Sequence, residues 1–180
     1  MADVAASQST LIAQFASGRL GQQVGDGQCF ALADQALRSV GVKSASDFGS
    51  VSPTADYIWG REVALGQAQV GDVIQFKNFN FDETITTEIS RSDGSSSYDE
   101  QTRSQSRPHH TAILASIGSN GELMVYEQNV GGQMLVQHNQ LLFSSVTIGP
   151  TTTTEGGVTT TVTRTITVTG TAKFYRAQTR

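Results

Sequence analysis

The spacing of apolar residues predicts three helices in the first third of the chain. Residues three and four positions apart lie on one face of a helix. The clearest such series begins directly after Cys29 and consists of Phe30, Ala33, Leu37 and Val40. A short helix is predicted from Ser9 or Thr10 to about Gly18, and a third one after Ser52 and Pro53, over 54–63. Cys29 is therefore expected at the N-terminus of a helix.

From Val70 onward, apolar residues form short runs that are typical of buried strands. The runs cover 73–76, 111–115 and 123–126, and 173–176 is predicted as a closing strand. A turn at Ser119-Asn120-Gly121 is expected to join two of these strands as a hairpin. Helices followed by strands indicate an α+β fold, with N-terminal helices packed on a small antiparallel sheet.

Two polar stretches interrupt this pattern and are predicted to project from the core. Residues 77–107 surround a Ser-Asp-Gly-Ser turn at 92–95, and residues 146–169 are rich in threonine around Gly156-Gly157. Threonine favours strands and tolerates contact with water. Each stretch is therefore predicted to form a β-hairpin, with disorder as the alternative. The two hairpins are expected to pair with each other or with a second copy of the chain.

Length and charge restrict the classes of protein that fit the chain. Its 180 residues suit one domain, 1–180, with insertions at about 77–107 and 146–169. The net charge of −4 offers no basic surface to nucleic acid. No apolar run approaches the ~20 residues that a membrane span needs, so membrane insertion is not expected. The first basic residue is Arg19, so delivery outside the cell or to the periplasm would use a route without a classical signal peptide, or a targeting segment missing from this sequence.

The single cysteine, Cys29, is the strongest candidate for chemistry. It cannot form an internal disulfide or a thiolate metal cluster, and we expect neither a metal nor a cofactor. The positive end of a helix dipole lowers the pKa of a thiol there, and the thiolate is the nucleophilic form. The Cys29 N–H, with Gln28 and the amide of Gln23, would bind a developing oxyanion. The alternative is that Cys29 is a small buried core residue.

Two further segments carry groups that can assist a thiolate. His109 and His110 precede a strand and point to opposite faces, so only one of them can face the sulfur. Glu127 and Asn129 are two residues apart at the end of the next strand and are expected to share a face. An acceptor for the ring N–H fixes the orientation of a catalytic imidazole. The alternatives are a surface histidine and a polar strand end.

Together these residues resemble CHAP domains, the cysteine, histidine-dependent amidohydrolases/peptidases, and more distantly their NlpC-type relatives. The resemblance covers roughly 22–143 and the final strand. It rests on Gln28-Cys29, Trp59, Gly71-Asp72-Val73, His110-Thr111-Ala112-Ile113 and Glu127-Gln128-Asn129. It implies a papain-like fold in which Cys29 attacks, His110 transfers the proton, and Glu127 or Asn129 orients His110. Asp26 and Trp59 would then lie beside the substrate cleft.

The resemblance also implies a reaction and a substrate. The expected protein is a secreted bacterial cysteine amidase or endopeptidase that hydrolyses an amide bond in peptidoglycan. One alternative is a secreted effector-type protease that acts on a protein. The other is a non-catalytic binding or assembly module, in which the hairpins form homo-oligomers through exposed strand edges.

Overall fold

A computed structural model describes residues 2–53, 55–119 and 121–180. In these ranges, two α-helices pack on one antiparallel sheet of seven strands. The helices are α1 (Ala6–Ser17) and α2 (Cys29–Ser39), and two single turns of 3₁₀ helix cover Ala45–Asp47 and Leu65–Gln67. The strands are β1 (Arg61–Val63), β2 (Val73–Arg91), β3 (Ser96–Ile117), β4 (Glu122–Glu127), β5 (Gln137–Leu142), β6 (Val146–Glu155) and β7 (Val158–Arg176).

The sheet separates two apolar clusters. Its strand order is β1-β7-β2-β3-β4-β5, and β6 pairs with the outer part of β7. Val73 and Ile113 are paired and face the helices, where they pack with buried residues of α1 and α2. The next pair along, Ile74 and Ala112, faces the opposite side because side chains alternate along a strand. There the sheet curls around a second cluster rich in phenylalanine.

Both predicted hairpins are present, and they pair with each other. Strands β2 and β3 remain paired out to Ser90 and Ser96, while β6 and β7 are paired out to Glu155 and Val158. Strand β2 lies between β3 and β7 over almost its whole length. We call residues 82–105 and 146–165 the arm. Its outer half is mostly exposed.

The base of the arm belongs to the core. Phe81 is fully buried and Ile166 is 2% exposed, and both pack in the second apolar cluster with Phe79. The predicted insertions at 77–107 and 146–169 therefore include side chains on which the sheet depends.

Shortening the arm above this base is expected to leave the fold intact. Asn-Gly turns would replace 86–100 and 152–161, which joins residues that are already paired. Because the deleted residues bury little apolar surface, we expect a melting temperature within a few degrees of wild type. Thermal unfolding tests this, with Ile166→Ala as the control that should cost about 2–5 kcal/mol. A shortened chain that does not fold would contradict the prediction.

The predicted third helix is wrong. Tyr57 and Trp59 are buried while Ile58 between them is 49% exposed, which is the alternation of an extended segment. Their rings pack on each other and on Phe30, and this tertiary packing outweighs the local helix signal at Ser52 and Pro53. Thr54 lies outside the described residues.

Two smaller predictions concern the start of α1 and the turn before β4. Helix α1 begins at Ala6, so Ser9 and Thr10 lie inside it and do not cap it. The backbone N–H of Glu122 bonds to Ser119 and closes the turn before β4, but Asn120 lies outside the described residues. Within the described part of the chain, no helix has the length and apolar character to span a membrane.

Candidate active site

Cys29 is the first residue of α2, and the loop before it presents the thiol at a cavity. The apolar side of α2 anchors the helix on the sheet through buried residues that include Leu32 and Leu37. Gly27 has a φ of +85°, and a Cβ there would lie 2.8 Å from the Cβ of Met134. Glycine at this position therefore lets the chain turn sharply into the helix. The thiol remains partly exposed.

His110 brings an imidazole to this thiol. The His110 ring, on β3, is buried and lies close enough to the Cys29 thiol to lower the pKa of the thiol. Its Nε2 lies 3.1 Å from Oε2 of Glu127, within ion-pair distance, although the ring N–H is not aligned for a hydrogen bond. The contact with Glu127 is therefore mainly electrostatic. Since Nε2 faces Glu127, Nδ1 is the ring nitrogen available to the thiol.

Glu127 is a fully buried carboxylate that accepts three hydrogen bonds from two side chains. Arg107 donates from Nε to Oε2 at 2.8 Å and from an Nη to Oε1 at 2.5 Å, and Asn139 donates to Oε1 at 2.8 Å. Burial raises the pKa of Glu127, but the Arg107 guanidinium and His110 outweigh it and hold that pKa at about 2. Glu127 is therefore charged at neutral pH, and its charge faces the imidazole.

The pKa shifts of Cys29 and His110 favour the same charged pair. Burial raises the pKa of the Cys29 thiol, but the hydrogen bond and charge of His110 outweigh it and lower the pKa. For His110, burial lowers the pKa, while contacts with Cys29 and Glu127 outweigh it and raise the pKa. A lowered thiol pKa beside a raised imidazole pKa favours a thiolate and an imidazolium, which is the state of a reactive cysteine.

The thiol and the imidazole open onto a cavity of about 630 Å³. One side of the cavity is apolar and is formed by Phe30, Val51, Pro53 and Tyr57. The other side is polar and is formed by Asp26, Gln28, Asn129 and the backbone at Gly131. Among the described residues, no group of His, Cys, Asp and Glu side chains is placed to hold a metal ion.

The predicted position of Asn129 is wrong. Strand β4 ends at Glu127, and Asn129 has a φ of +64°, so it does not continue the strand face of Glu127. Its amide instead donates to Oε1 of Gln28 at 2.8 Å, at the rim of the cavity. Asn129 is thus placed beside the loop of Cys29, and Glu127 is the residue placed against His110.

Of three other residues predicted for the site, Asp26 lines the cavity, whereas Gln23 and Trp59 do not. Asp26 lines the cavity, and its carboxylate accepts the backbone N–H of Gln28. Gln23 is exposed, does not line the cavity, and donates to the carbonyl of Gly25 at 3.3 Å. Trp59 is fully buried and its indole N–H bonds to Gln75, so its assignment to the cleft is wrong. Tyr57 and Trp59 share one face of the extended segment, but of the two only Tyr57 lines the cavity.

His109 and His110 have different neighbours, as strand alternation predicts. The Nε2 atom of His109 lies 2.8 Å from the carbonyl oxygen of Ala55, and its ring meets Tyr57 edge to face. His109 therefore ties the loop that forms the apolar side of the cavity to β3.

Sequence reasoning missed the residues that support the site. Arg107 is buried at the base of the arm, and Gln128 is buried between Glu127 and Asn129. Both act on groups 20 or more residues away in the sequence. The one available signal was that a carboxylate beside a buried histidine needs a cation, and Arg107 is the arginine nearest to His110 in the sequence.

Replacing Arg107 by glutamine is expected to lower the free energy of unfolding, and the loss should be largest at neutral pH. The folded-state pKa of Glu127 lies at about 2, below its ordinary value of 4.5, so wild type loses this stabilisation as pH falls from about 4.5 to 2. Loss of one partner from a buried ion pair typically costs about 3–5 kcal/mol. The difference in unfolding free energy from wild type should therefore narrow on acidification.

Urea unfolding at pH 7 and at pH 3 measures this difference. Arg103→Gln is the matched control, because Arg103 lies on the same strand but is partly exposed and shares Glu83 with Arg164. An Arg107→Gln penalty that is constant with pH would show that Arg107 acts through packing alone.

Comparison with known families gives one match. The family model described as AIM3/BBC1 Cysteine proteinase-fold domain matches residues 1–150. This range includes Cys29, His110 and Glu127. The description names a cysteine proteinase fold and not a CHAP domain, so the resemblance to CHAP domains holds at the level of the papain-like fold. No curated protein and no solved structure matches the chain.

Proposed function

The chain belongs to the AIM3/BBC1 cysteine proteinase-fold domain family, and on that premise we propose that it is a cysteine hydrolase that cleaves amide bonds. The observation that carries the proposal is the chain of contacts from Cys29 through His110 to Glu127 beside an open cavity. The fold alone would not support the proposal, because proteins with the same fold can have different functions.

The proposed reaction begins with attack by the thiolate of Cys29 on the carbonyl carbon of an amide. The C–S bond forms, and the negative charge that develops on the carbonyl oxygen is stabilised by the Cys29 N–H. His110 then protonates the amine nitrogen as the C–N bond breaks, and the amine leaves. Such acid–base assistance is typically worth about 10²–10⁴ in rate.

Hydrolysis of the resulting thioester completes the cycle. His110, now neutral, takes a proton from water as the water oxygen attacks the thioester carbon, and the thiolate leaves as the acid product forms. Glu127 stabilises the imidazolium in both halves of the reaction, because its carboxylate stays charged against Nε2.

The proposed substrate class is a peptide-like amide that reaches the thiol through an open groove. The resemblance to CHAP domains favours an amide bond in peptidoglycan. The alternative substrate is a protein, in which the same reaction would cleave a peptide or isopeptide bond. The negative charge of the chain offers no attraction to anionic wall polymers, so slow cleavage of wall fragments is expected rather than lysis of intact cells.

Release of new amino groups tests the proposal. Purified peptidoglycan fragments of several chemotypes and a set of denatured proteins would be incubated with the chain, before and after iodoacetamide treatment. We expect release from one of the two substrate sets, and loss of that release on alkylation. No release from either set, together with a thiol that reacts only after denaturation, would contradict a hydrolase.

A binding or assembly module is the second candidate, and one observation favours it. Strand β4 pairs with β3 only along 112–117, so the outer part of β3 at 96–106 carries a strand edge at the side of the arm. Such an edge can pair with a second copy of the chain. Sedimentation of the full chain and of the arm-shortened chain tests this, since only the full chain should form dimers.

A further inference from the structure

Gln128 is a fully buried glutamine that hydrogen-bonds the loop preceding Cys29. Its Oε1 accepts the backbone N–H of Val24 at 2.7 Å. Its Nε2 donates to the carbonyl of Val24 at 2.9 Å and to the carbonyl of Gln28 at 2.9 Å. Both kinds of polar atom in the amide, the oxygen and the nitrogen, are thus bonded to backbone about 100 residues away in the sequence.

One of these bonds acts on the peptide unit that joins Gln28 to Cys29. The carbonyl of Gln28 and the N–H of Cys29 belong to the same planar trans peptide, so they point in opposite directions. The Gln28 carbonyl accepts from Gln128 and from the backbone N–H of Ala31. Fixing that carbonyl on the protein side therefore fixes the direction of the Cys29 N–H.

The Cys29 N–H is one of the first N–H groups of α2, which have no acceptor within their own helix. A hydrogen bond to the carbonyl of a peptide also polarises its N–H and makes it a better donor. We propose that Gln128 is a positioning residue that aims and polarises the Cys29 N–H for the oxyanion of the tetrahedral intermediate. This inference rests on the proposed hydrolase function, and it assigns to Gln128 a role separate from that of Glu127 and Asn129.

Two reactions of the same thiol distinguish this role from a merely structural one. With p-nitrophenyl acetate, the thiolate attacks a carbonyl carbon, an oxyanion develops, and p-nitrophenolate leaves as the thioester forms. With iodoacetamide, the thiolate displaces iodide from a saturated carbon, and no carbonyl oxygen gains charge. Misdirection of the Cys29 N–H should therefore slow acylation and spare alkylation.

The experiment compares both rate constants in wild type, Gln128→Met and Gln128→Glu. Methionine keeps the length of the side chain without its donors, and glutamate keeps an acceptor for the N–H of Val24. Loss of an oxyanion donor typically costs 10²–10³ in rate, so we expect misdirection of one to slow acylation by about tenfold or more. Rate constants are read from the reacting fraction, so partial unfolding of a variant changes only the amplitude.

Gln178→Met is the matched control, because Gln178 is also a buried glutamine but does not line the cavity. Its two rate constants should equal those of wild type. If acylation and alkylation fall equally in the Gln128 variants, or if neither changes, the role assigned to Gln128 is wrong. If wild type itself shows no nitrophenolate burst above Cys29→Ala, the proposed hydrolase function fails instead.

Discussion

Replacing Cys29 by alanine is expected to abolish amide hydrolysis, with a loss of roughly 10⁵-fold or more. Alanine cannot form the C–S bond on which every later step depends. The side chain is small and partly exposed, so the unfolding free energy should change by no more than about 1 kcal/mol. The rate of amine release from the preferred substrate, with unfolding measured in parallel, checks both statements.

Labelling of the native thiol provides the control for this result. Because the contact with His110 lowers the pKa of Cys29, iodoacetamide should react with the folded protein near neutral pH faster than with an ordinary thiol. A Cys29→Ala protein that keeps its activity would remove the thiolate mechanism. Labelling that requires denaturation would support the buried-core alternative.

Replacing His110 by alanine is expected to have the next largest effect, a loss of roughly 10⁴-fold or more in hydrolysis. The variant loses the group that protonates the leaving amine. It also loses the contact that offsets the effect of burial on the pKa of Cys29. That pKa should therefore rise, and alkylation near pH 6–7 should slow. Hydrolysis rates and the pH profile of iodoacetamide labelling measure the two effects.

His109→Ala is the matched control for this prediction. His109 lies next to His110 but contacts the carbonyl of Ala55, so its loss should loosen the cavity wall and raise KM more than it lowers kcat. A large fall in kcat for His109→Ala, with His110→Ala nearly active, would mean that the opposite face of β3 presents the base.

Local pattern was sufficient to predict the elements that position the nucleophile and the arm. The helix after Cys29 follows from one apolar periodicity, and each hairpin follows from alternating residues around a glycine-containing turn. The segment at Tyr57 and Trp59 was mispredicted because its conformation depends on packing against Phe30, which no local signal at Ser52 and Pro53 contains.

The candidate site shows the same division between local and distant information. Strand alternation predicts only that one of His109 and His110 can face the sulfur, and the resemblance to CHAP domains implies that it is His110, with Glu127 as its partner. Strand alternation does not predict the turn of Asn129 away from the face of Glu127, where φ is +64°. The contacts of Arg107 and Gln128 are not predicted, because their partners are distant in the sequence.

The continuity of β3 constrains how relatives of this chain can differ in length. One uninterrupted strand runs from Ser96 at the tip of the arm to His110 in the site. An insertion or deletion of one residue at the base of the arm would exchange the directions of His109 and His110 and remove the imidazole from the thiol. The same change at the 92–95 turn would leave the pairing below it unaltered. Length variation among homologues is therefore expected at the tip of the arm and not at its base.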